Sequence, residues 1–523
     1  MRTRLVAETL DRDARHLPCC HGRVWRGCYR RHGPRPSRQS PPSLDARITP
    51  GFNPGAGHDN ELGAGRQNET TRPIHLLGPL SALVLAMIAI ALALPAGAAA
   101  RLQRVTSPLG IEAWLIEDHA NPIISLALGF RGGAALDPKG KEGLADMATS
   151  LLDEGAGDLD SERFQKRLAD LAVDLSFEAG TDNVTGQLRT LAPRRDEAFD
   201  LLRLALSAPR FDAEPVERIR GQMQAALARR AADPDDIAAR TWWRVVFPDH
   251  AYGRSLSGTA ASLAALAAAD LRGWVGRRLA RDNLEIGVVG DVTAAELAPL
   301  LDRTFGPLPE KAVPDDVPEA TPQAAGEVIV VGRDVPQSVV LLGGAGPKRD
   351  DPDFYAASIV NHVLGGGGFT SRLTRELREA RGLAYSVSSY LNPLDHVGLV
   401  EAEVATQNAR VGESIALIRE EWRRLAEEGP TQAELDDAKT FLTGSFPLRF
   451  SSTGGAAHML VSVQLEDLGF DYLDRRNALI DAVTLEDARR VARRLLDPAR
   501  LTIVVVGAPV GVTATRPAPA DGS

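Results

Sequence analysis

The strongest constraint on this chain is a repeat inside it. Asp270 to Gly290 and Asp487 to Gly507 align over 21 residues without a gap, 217 positions apart. Asp270/Asp487, Arg277/Arg494, Leu279/Leu496, Leu284/Leu501, Ile286/Ile503, Val288/Val505, Val289/Val506 and Gly290/Gly507 coincide. Each copy is an amphipathic, Arg-rich stretch with helical spacing, followed by an apolar run that ends at Gly. That pattern predicts a helix and then a buried strand. The starts of the two halves also resemble each other: Asn121 to Leu128 and Val335 to Leu342 lie 214 positions apart. Two copies of one domain therefore account for most of a 523-residue chain, which is too long for one compact core.

Within each half, strand and helix patterns come in runs. Strands are predicted near 104–117 and 122–130, a helix from about Glu142, and helices over 160–174, 194–207 and 212–232. This is an α+β layout: two homologous domains, each an antiparallel-rich sheet covered by helices on one face. The expected divisions are an N-terminal domain over 101–306, a proline-rich linker over 307–326, a C-terminal domain over 327–508 and a disordered tail over 509–523. The linker holds Pro307, Pro309, Pro314, Pro318 and Pro322, which make it stiff and extended. The net charge of −9 supplies no overall basic footprint for nucleic acid.

The first hundred residues differ from the rest. Residues 1–71 are rich in Arg, Pro and Gly and read as a disordered or upstream leader. Residues 72–100 read as a signal peptide: Arg72, an apolar core from Leu80 to Leu94, then Pro95 and an Ala-x-Ala ending at Ala100. An uncleaved membrane anchor is the alternative; the core is short for a span. Cleavage would leave no stable membrane span and a periplasmic protein, with a mitochondrial location as a second possibility. Losing residues 1–100 removes 13 Arg and seven acids, which moves the net charge from −9 to −15. It also removes Cys19, Cys20 and Cys28, so residues 101–523 contain no cysteine, as suits an oxidising compartment.

The order of motifs resembles one family. A strand leads to Arg131-Gly132-Gly133-Ala134, then to Asp137-Pro138-Lys139-Gly140-Lys141-Glu142-Gly143-Leu144-Ala145, within a duplicated domain of this size. This is similar to the pitrilysin/insulinase family of zinc peptidases, which includes the mitochondrial processing peptidase and the core proteins of respiratory complexes. The resemblance implies a helix beginning Gly-Leu-Ala-His-x-x-Glu-His. Its two His bind zinc on one helical face, and the Glu between them activates the bound water. Here those positions are Asp146, Thr149 and Ser150. The family's third ligand is a Glu on a later helix, but the matching stretch reads Gln222-Met223-Gln224-Ala225-Ala226-Leu227. The five histidines after residue 100 (His119, His250, His362, His396 and His458) include no pair at metal-binding spacing. The chain is therefore expected to hold no metal, to need no cofactor of its own, and to have no catalytic residue for peptide hydrolysis.

The second half keeps more. It reads Leu364-Gly365-Gly366-Gly367-Gly368-Phe369-Thr370-Ser371-Arg372-Leu373, then Leu377-Arg378-Glu379 and onward to Tyr385-Ser386-Val387. The glycine run lacks a Gly-Lys-Ser/Thr ending and so predicts a close backbone approach rather than a nucleotide loop. Arg378 and Tyr385 are spaced as the family's substrate-contacting Arg and Tyr. A guanidinium fork and a phenol can both hold carbonyl oxygens; as plain structure they would be a helix-surface Arg and a half-buried strand Tyr. Arg489, Arg490, Arg493 and Arg494 read as a solvated helix face.

Half-length members of the family commonly pair, one subunit bringing zinc and the other the Arg and Tyr. The resemblance thus implies a non-catalytic, substrate-binding subunit of an exported heterodimer. Its partners would be an active homologue with an intact H-x-x-E-H, which carries the zinc, and extended peptides. The alternatives are a structural, core-protein-like assembly subunit without a peptidase partner, and a peptide-binding homodimer.

Overall fold

The computed structural model describes residues 101–314 and 316–519. The leader (1–71) and signal segment (72–100) expected from sequence lie outside the described residues. The first half contributes β1 (Leu102–Thr106), β2 (Glu112–Glu117), β3 (Ile123–Arg131), β4 (Asp174–Ala179), β5 (Asn183–Leu191) and β6 (Leu284–Gly290). Its helices are α1 (Leu144–Thr149), α2 (Ser161–Leu171), α3 (Arg195–Ser207), α4 (Ala213–Arg230), α5 (Pro234–Val246), α6 (Ala260–Ala265), α7 (Ala268–Arg278) and α8 (Ala294–Phe305). The second half contributes β7 (Val328–Gly332), β8 (Gln337–Ala345), β9 (Ala384–Leu394), β10 (Val397–Gln407) and β11 (Thr502–Gly507). Its helices are α9 (Phe354–Asn361), α10 (Val411–Glu428), α11 (Gln432–Gly444), α12 (Thr453–Leu465), α13 (Tyr472–Asp481) and α14 (Leu485–Leu495).

The fold is α+β, with two mixed sheets covered by helices. The first runs β1-β2-β6-β3-β5-β4 and the second β7-β11-β8-β10-β9. In each, a single parallel pair (β2 with β6, β7 with β11) sits in an otherwise antiparallel sheet. The repeat is the α7–β6 unit and its copy α14–β11, and its shared residues have shared jobs. Asp270 and Asp487 each accept a backbone N–H ahead of their helix, from Ala267 (3.0 Å) and Thr484 (3.1 Å), so both cap a helix N-terminus. Ile286 and Val288 face the first half's helices, as Ile503 and Val505 face the second's. Gly290 and Gly507 have φ of +139° and +147°. A Cβ there would lie 2.1 Å from the Ile123 carbonyl oxygen and 2.3 Å from Ser338 Oγ, so only glycine fits either site.

The opposite face of each sheet is covered by a helix from the other half. α12 lays Ala457, Leu460 and Val461 on Trp114, Ala127 and Val289 of the first sheet. α5 lays Ile237, Trp242 and Val245 on Ile329, Val339, Leu341, Val504 and Val506 of the second. Helices on one face therefore describe only each half's own contribution. The Arg131 guanidinium secures the end of α12, donating to the carbonyls of Leu465 (2.8 Å) and Gln464 (2.7 Å) and pairing with Asp467 and Glu285. The hairpin tips of the halves meet at Tyr252. Its hydroxyl donates to Asp182 (2.7 Å) and accepts from the His396 N–H (3.2 Å), while the Asp395 N–H donates to Asp182 (3.1 Å).

The proline-rich segment is laid along this junction. Val313, Ala320 and Gln323 donate N–H bonds to Arg277, His396 and Val246, and Val317 is buried beside α5. The tail, expected to be disordered over 509–523, instead follows the outer edge of β7 as far as residue 519, where description stops. Thr515 N–H donates to the Val328 carbonyl and Thr515 Oγ1 accepts the Val328 N–H, both at 2.8 Å, while Arg516 pairs with Glu327 (3.0 Å). An unpaired strand edge is costly to leave exposed, and the tail takes the place beside β7 that β1 takes beside β2. No helix among the described residues is long and apolar enough to cross a membrane.

Candidate functional site

α1 carries the positions where the resemblance places zinc ligands. Its start is fixed by Asp137, a buried carboxylate whose oxygens accept the N–H groups of Gly143 (2.9 Å) and Ala145 (3.1 Å). Thr149 is buried, and its hydroxyl donates back to the carbonyls of Ala145 (3.0 Å) and Asp146 (3.1 Å). Asp146 is hydrogen-bonded to Ser257 and feels the Arg230 charge; burial nevertheless holds its carboxyl above the usual range. The Arg230 guanidinium also donates to Ser257 (2.9 Å). Thus α4, the helix on which a third ligand would sit, brings a cation to α1 instead of a carboxylate. One carboxylate and two hydroxyls, one of them already turned to the backbone, do not fit a zinc ion. Among the described residues no group of three or more His, Cys, Asp and Glu side chains is placed to hold a metal ion.

Asp137 offers a direct test of how α1 is held. Its burial outweighs the N–H donors and the nearby Arg254, lifting the carboxyl to about 7. The folded chain then binds this proton more tightly than the unfolded chain does. The resulting stability is complete below pH about 4 and is lost as pH rises through about 7. Urea unfolding of wild type against Asp137→Asn should show the wild-type advantage falling by on the order of 4 kcal/mol between those pH values. Parallel pH profiles would refute this account of the α1 start.

The second cluster lies at the β9 end of the second sheet. The glycine run approaches β9 closely: a Cβ on Gly365 would sit 2.6 Å from the Ser389 backbone nitrogen. The chain then passes through a wide π-helical turn, Thr374–Glu379, pinned by buried Leu377. It reverses at Gly382 (φ +58°) and enters β9 after buried Leu383, whose N–H donates to the Leu377 carbonyl (2.7 Å). This reversal brings Arg378 and Tyr385 together. The guanidinium carbon of Arg378 is 5.0 Å from the Tyr385 ring centroid and 4.6 Å from that of Phe369. Tyr385 is 83% exposed and Phe369 55%, so Tyr385 is not the half-buried strand residue of the plain structural reading. Buried His362 lies against Phe441, ring centroids 4.9 Å apart and tilted by 35°, just before the glycines, and burial lowers its pKa.

Among the described residues no hydrogen bond, ion pair or ring contact joins Arg378 or Tyr385 to Asp146, Thr149 or Ser150. The Arg stripe on α14 is partly engaged: Arg490 forks onto Asp353 (2.8 Å) and Arg494 pairs with Asp351 (2.8 Å).

Comparison with known proteins decides the family. The family description "Peptidase M16 inactive domain" matches residues 265–442. The non-peptidase homolog YmxG of Helicobacter pylori is 31% identical over 338 residues, covering 64% of this chain and 77% of that protein. The chain belongs to the peptidase M16 family. An uncharacterized zinc protease of Streptomyces coelicolor, SCO5738, is 31% identical over 319 residues, covering 59% of this chain and 68% of that one. A solved peptidase M16 inactive domain from Pseudomonas fluorescens superposes with a TM-score of 0.73 at 26% identity, over 80% of this chain and all of that one. The pitrilysin-type resemblance read from the motifs is thus correct, and this M16 chain lacks the active motif.

Some residues of this M16 site escaped the sequence reading. Phe369 stood inside the glycine motif, but nothing in its identity announced an exposed ring against Arg378. Arg230 and Ser257 lie far from Asp146 in sequence, and no spacing rule connects them.

Proposed function

We propose that this M16 chain is the non-catalytic, peptide-holding subunit of an exported peptidase heterodimer. A partner with an intact H-x-x-E-H carries the zinc and cuts, while Arg378 and Tyr385 hold the substrate. The observation that carries this reading is the contrast between the two clusters: Asp146, Thr149 and Ser150 do not fit a zinc ion, whereas Arg378 lies against two exposed rings with donors to offer. The guanidinium and phenol are donors that can hold oxygen atoms of a bound peptide. An extended peptide is a suitable ligand because it can add to an open sheet edge, and β9 lies at the edge of its sheet. The apolar segment ending at Ala100 supports export to the periplasm.

The test is reconstitution with an active M16 homologue. The pair should cleave peptides under chelator control, and the chain alone should not. Arg378→Ala in the pair should lower kcat/KM by roughly tenfold to a hundredfold, the range for hydrogen bonds to a charged group. Stoichiometric zinc and chelator-sensitive cleavage by this chain alone would sink the proposal. An unchanged pair carrying Arg378→Ala would remove the role given to that residue. Fractionation of the native host tests the location: the chain should be released with the periplasm.

A further inference from the structure

The arginines around the glycine motif are not equivalent. Arg372 forks onto Glu434 (2.7 and 2.8 Å), Arg375 reaches the same carboxylate (3.4 Å), and Arg381 pairs with Glu376. Arg378, in their midst, has no carboxylate within ion-pair distance among the described residues. Its guanidinium carbon lies instead over the rings of Phe369 (4.6 Å) and Tyr385 (5.0 Å). A cation–ring contact consumes no oxygen acceptor, so the N–H edge of the guanidinium remains available to one. That edge is a planar fork suited to two oxygens at once. Both rings are exposed beside the guanidinium, and an exposed apolar patch rimmed by polar groups can mark a binding site.

Resting on the peptide-holding reading above, we infer that the Phe369–Arg378–Tyr385 cluster is a carboxylate-binding site. Its ligand is the carboxylate of a peptide, from the C-terminus or from an Asp or Glu side chain, and Phe369 positions the guanidinium for it. A backbone carbonyl offers one neutral acceptor to this fork. A carboxylate offers two oxygens and the negative charge that Arg378 does not find among its described neighbours. An apolar residue beside the carboxylate can lie on the outer faces of the rings.

The experiment is fluorescence anisotropy on the full chain with a labelled extended peptide ending in Leu and carrying one internal Glu. It is compared with its C-terminal amide and with its Glu-to-Gln version. One of the two changes should weaken binding at least roughly tenfold, the scale of a charge-assisted pair, and which one does so identifies the source of the carboxylate. Arg378→Ala should abolish that difference. Phe369→Leu should weaken acid binding roughly threefold and Phe369→Trp should restore it, because Trp keeps the cation contact and Leu does not. Equal binding of all three peptides would overturn the carboxylate assignment and leave peptide holding intact. Failure of every peptide to bind the wild-type chain would overturn both. Equal behaviour of Phe369→Leu and Phe369→Trp would overturn the positioning role.

Discussion

Gly287→Ala should destabilise the chain by about 3 kcal/mol, while Gly129→Ala should cost only about 1 kcal/mol. Both glycines lie on the face of the first sheet where α12 docks, but they meet different atoms. A Cβ on Gly287 would lie 2.5 Å from the Ala457 carbonyl oxygen and 2.8 Å from the Leu460 Cβ. Neither atom can rotate away, so α12 itself would have to lift, loosening Ala457, Leu460 and Val461 from their seat. A Cβ on Gly129 would meet Leu465 Cδ1 (2.8 Å) and Val461 Cγ1 (2.9 Å), the ends of side chains that can turn. Removing the extra freedom of glycine in the unfolded chain returns less than about 1 kcal/mol in either case. Urea unfolding measures the costs. Hydrogen exchange should show the α12 amides opening early in the Gly287 variant. Equal costs at the two positions would mean that α12 does not sit as closely on β6 as described.

That docking was not legible in the sequence, although much of the fold was. The repeat exposed the α7–β6 unit and its copy because each shared residue answers a local need: Asp270 and Asp487 cap a helix, Gly290 and Gly507 pass a carbonyl or hydroxyl too close for a side chain. Local needs leave residue-level traces. The exchange of α5 and α12 leaves none of that kind, because it joins segments far apart in the sequence whose apolar faces look like any other. The same limit applies to the tail. Its Pro, Ala and Thr composition reads as disorder, yet two backbone bonds to β7 and one ion pair order it. At the site, the loss of zinc ligands was readable because it depends on residue identity alone: no hydroxyl substitutes for an imidazole. The pairing of Arg378 with Tyr385 was suggested by spacing, but the Phe369 ring beside Arg378 depends on the path of the glycine run, which only the structure traces.

The reciprocal helix, α5, should be the more sensitive of the two to loss of bulk. Trp242→Ala is expected to cost about 3–5 kcal/mol, whereas Trp242→Phe should cost far less. Trp242 is fully buried between α5 and the second sheet, with Val339, Leu341, Val504 and Val506 in the same core. It also stands edge-on to Trp243 at 5.4 Å. Truncation to Ala opens a cavity bounded by strands on one side and a helix on the other, and the strands cannot collapse into it without leaving their ladder. The indole N–H, by contrast, has no hydrogen-bond partner among the described residues. A buried donor of this kind is itself a cost of about 1–3 kcal/mol, and Phe removes it while keeping an aromatic ring in place. The two substitutions therefore separate packing from polarity at one position. Thermal and urea unfolding should rank wild type and Trp242→Phe close together and Trp242→Ala well below. If Phe proves as damaging as Ala, the indole N–H has a partner that matters and the junction is held by a hydrogen bond. If Ala proves harmless, α5 is not what fastens the first half to the second sheet, and the Tyr252 node with the proline-rich segment must carry that load instead.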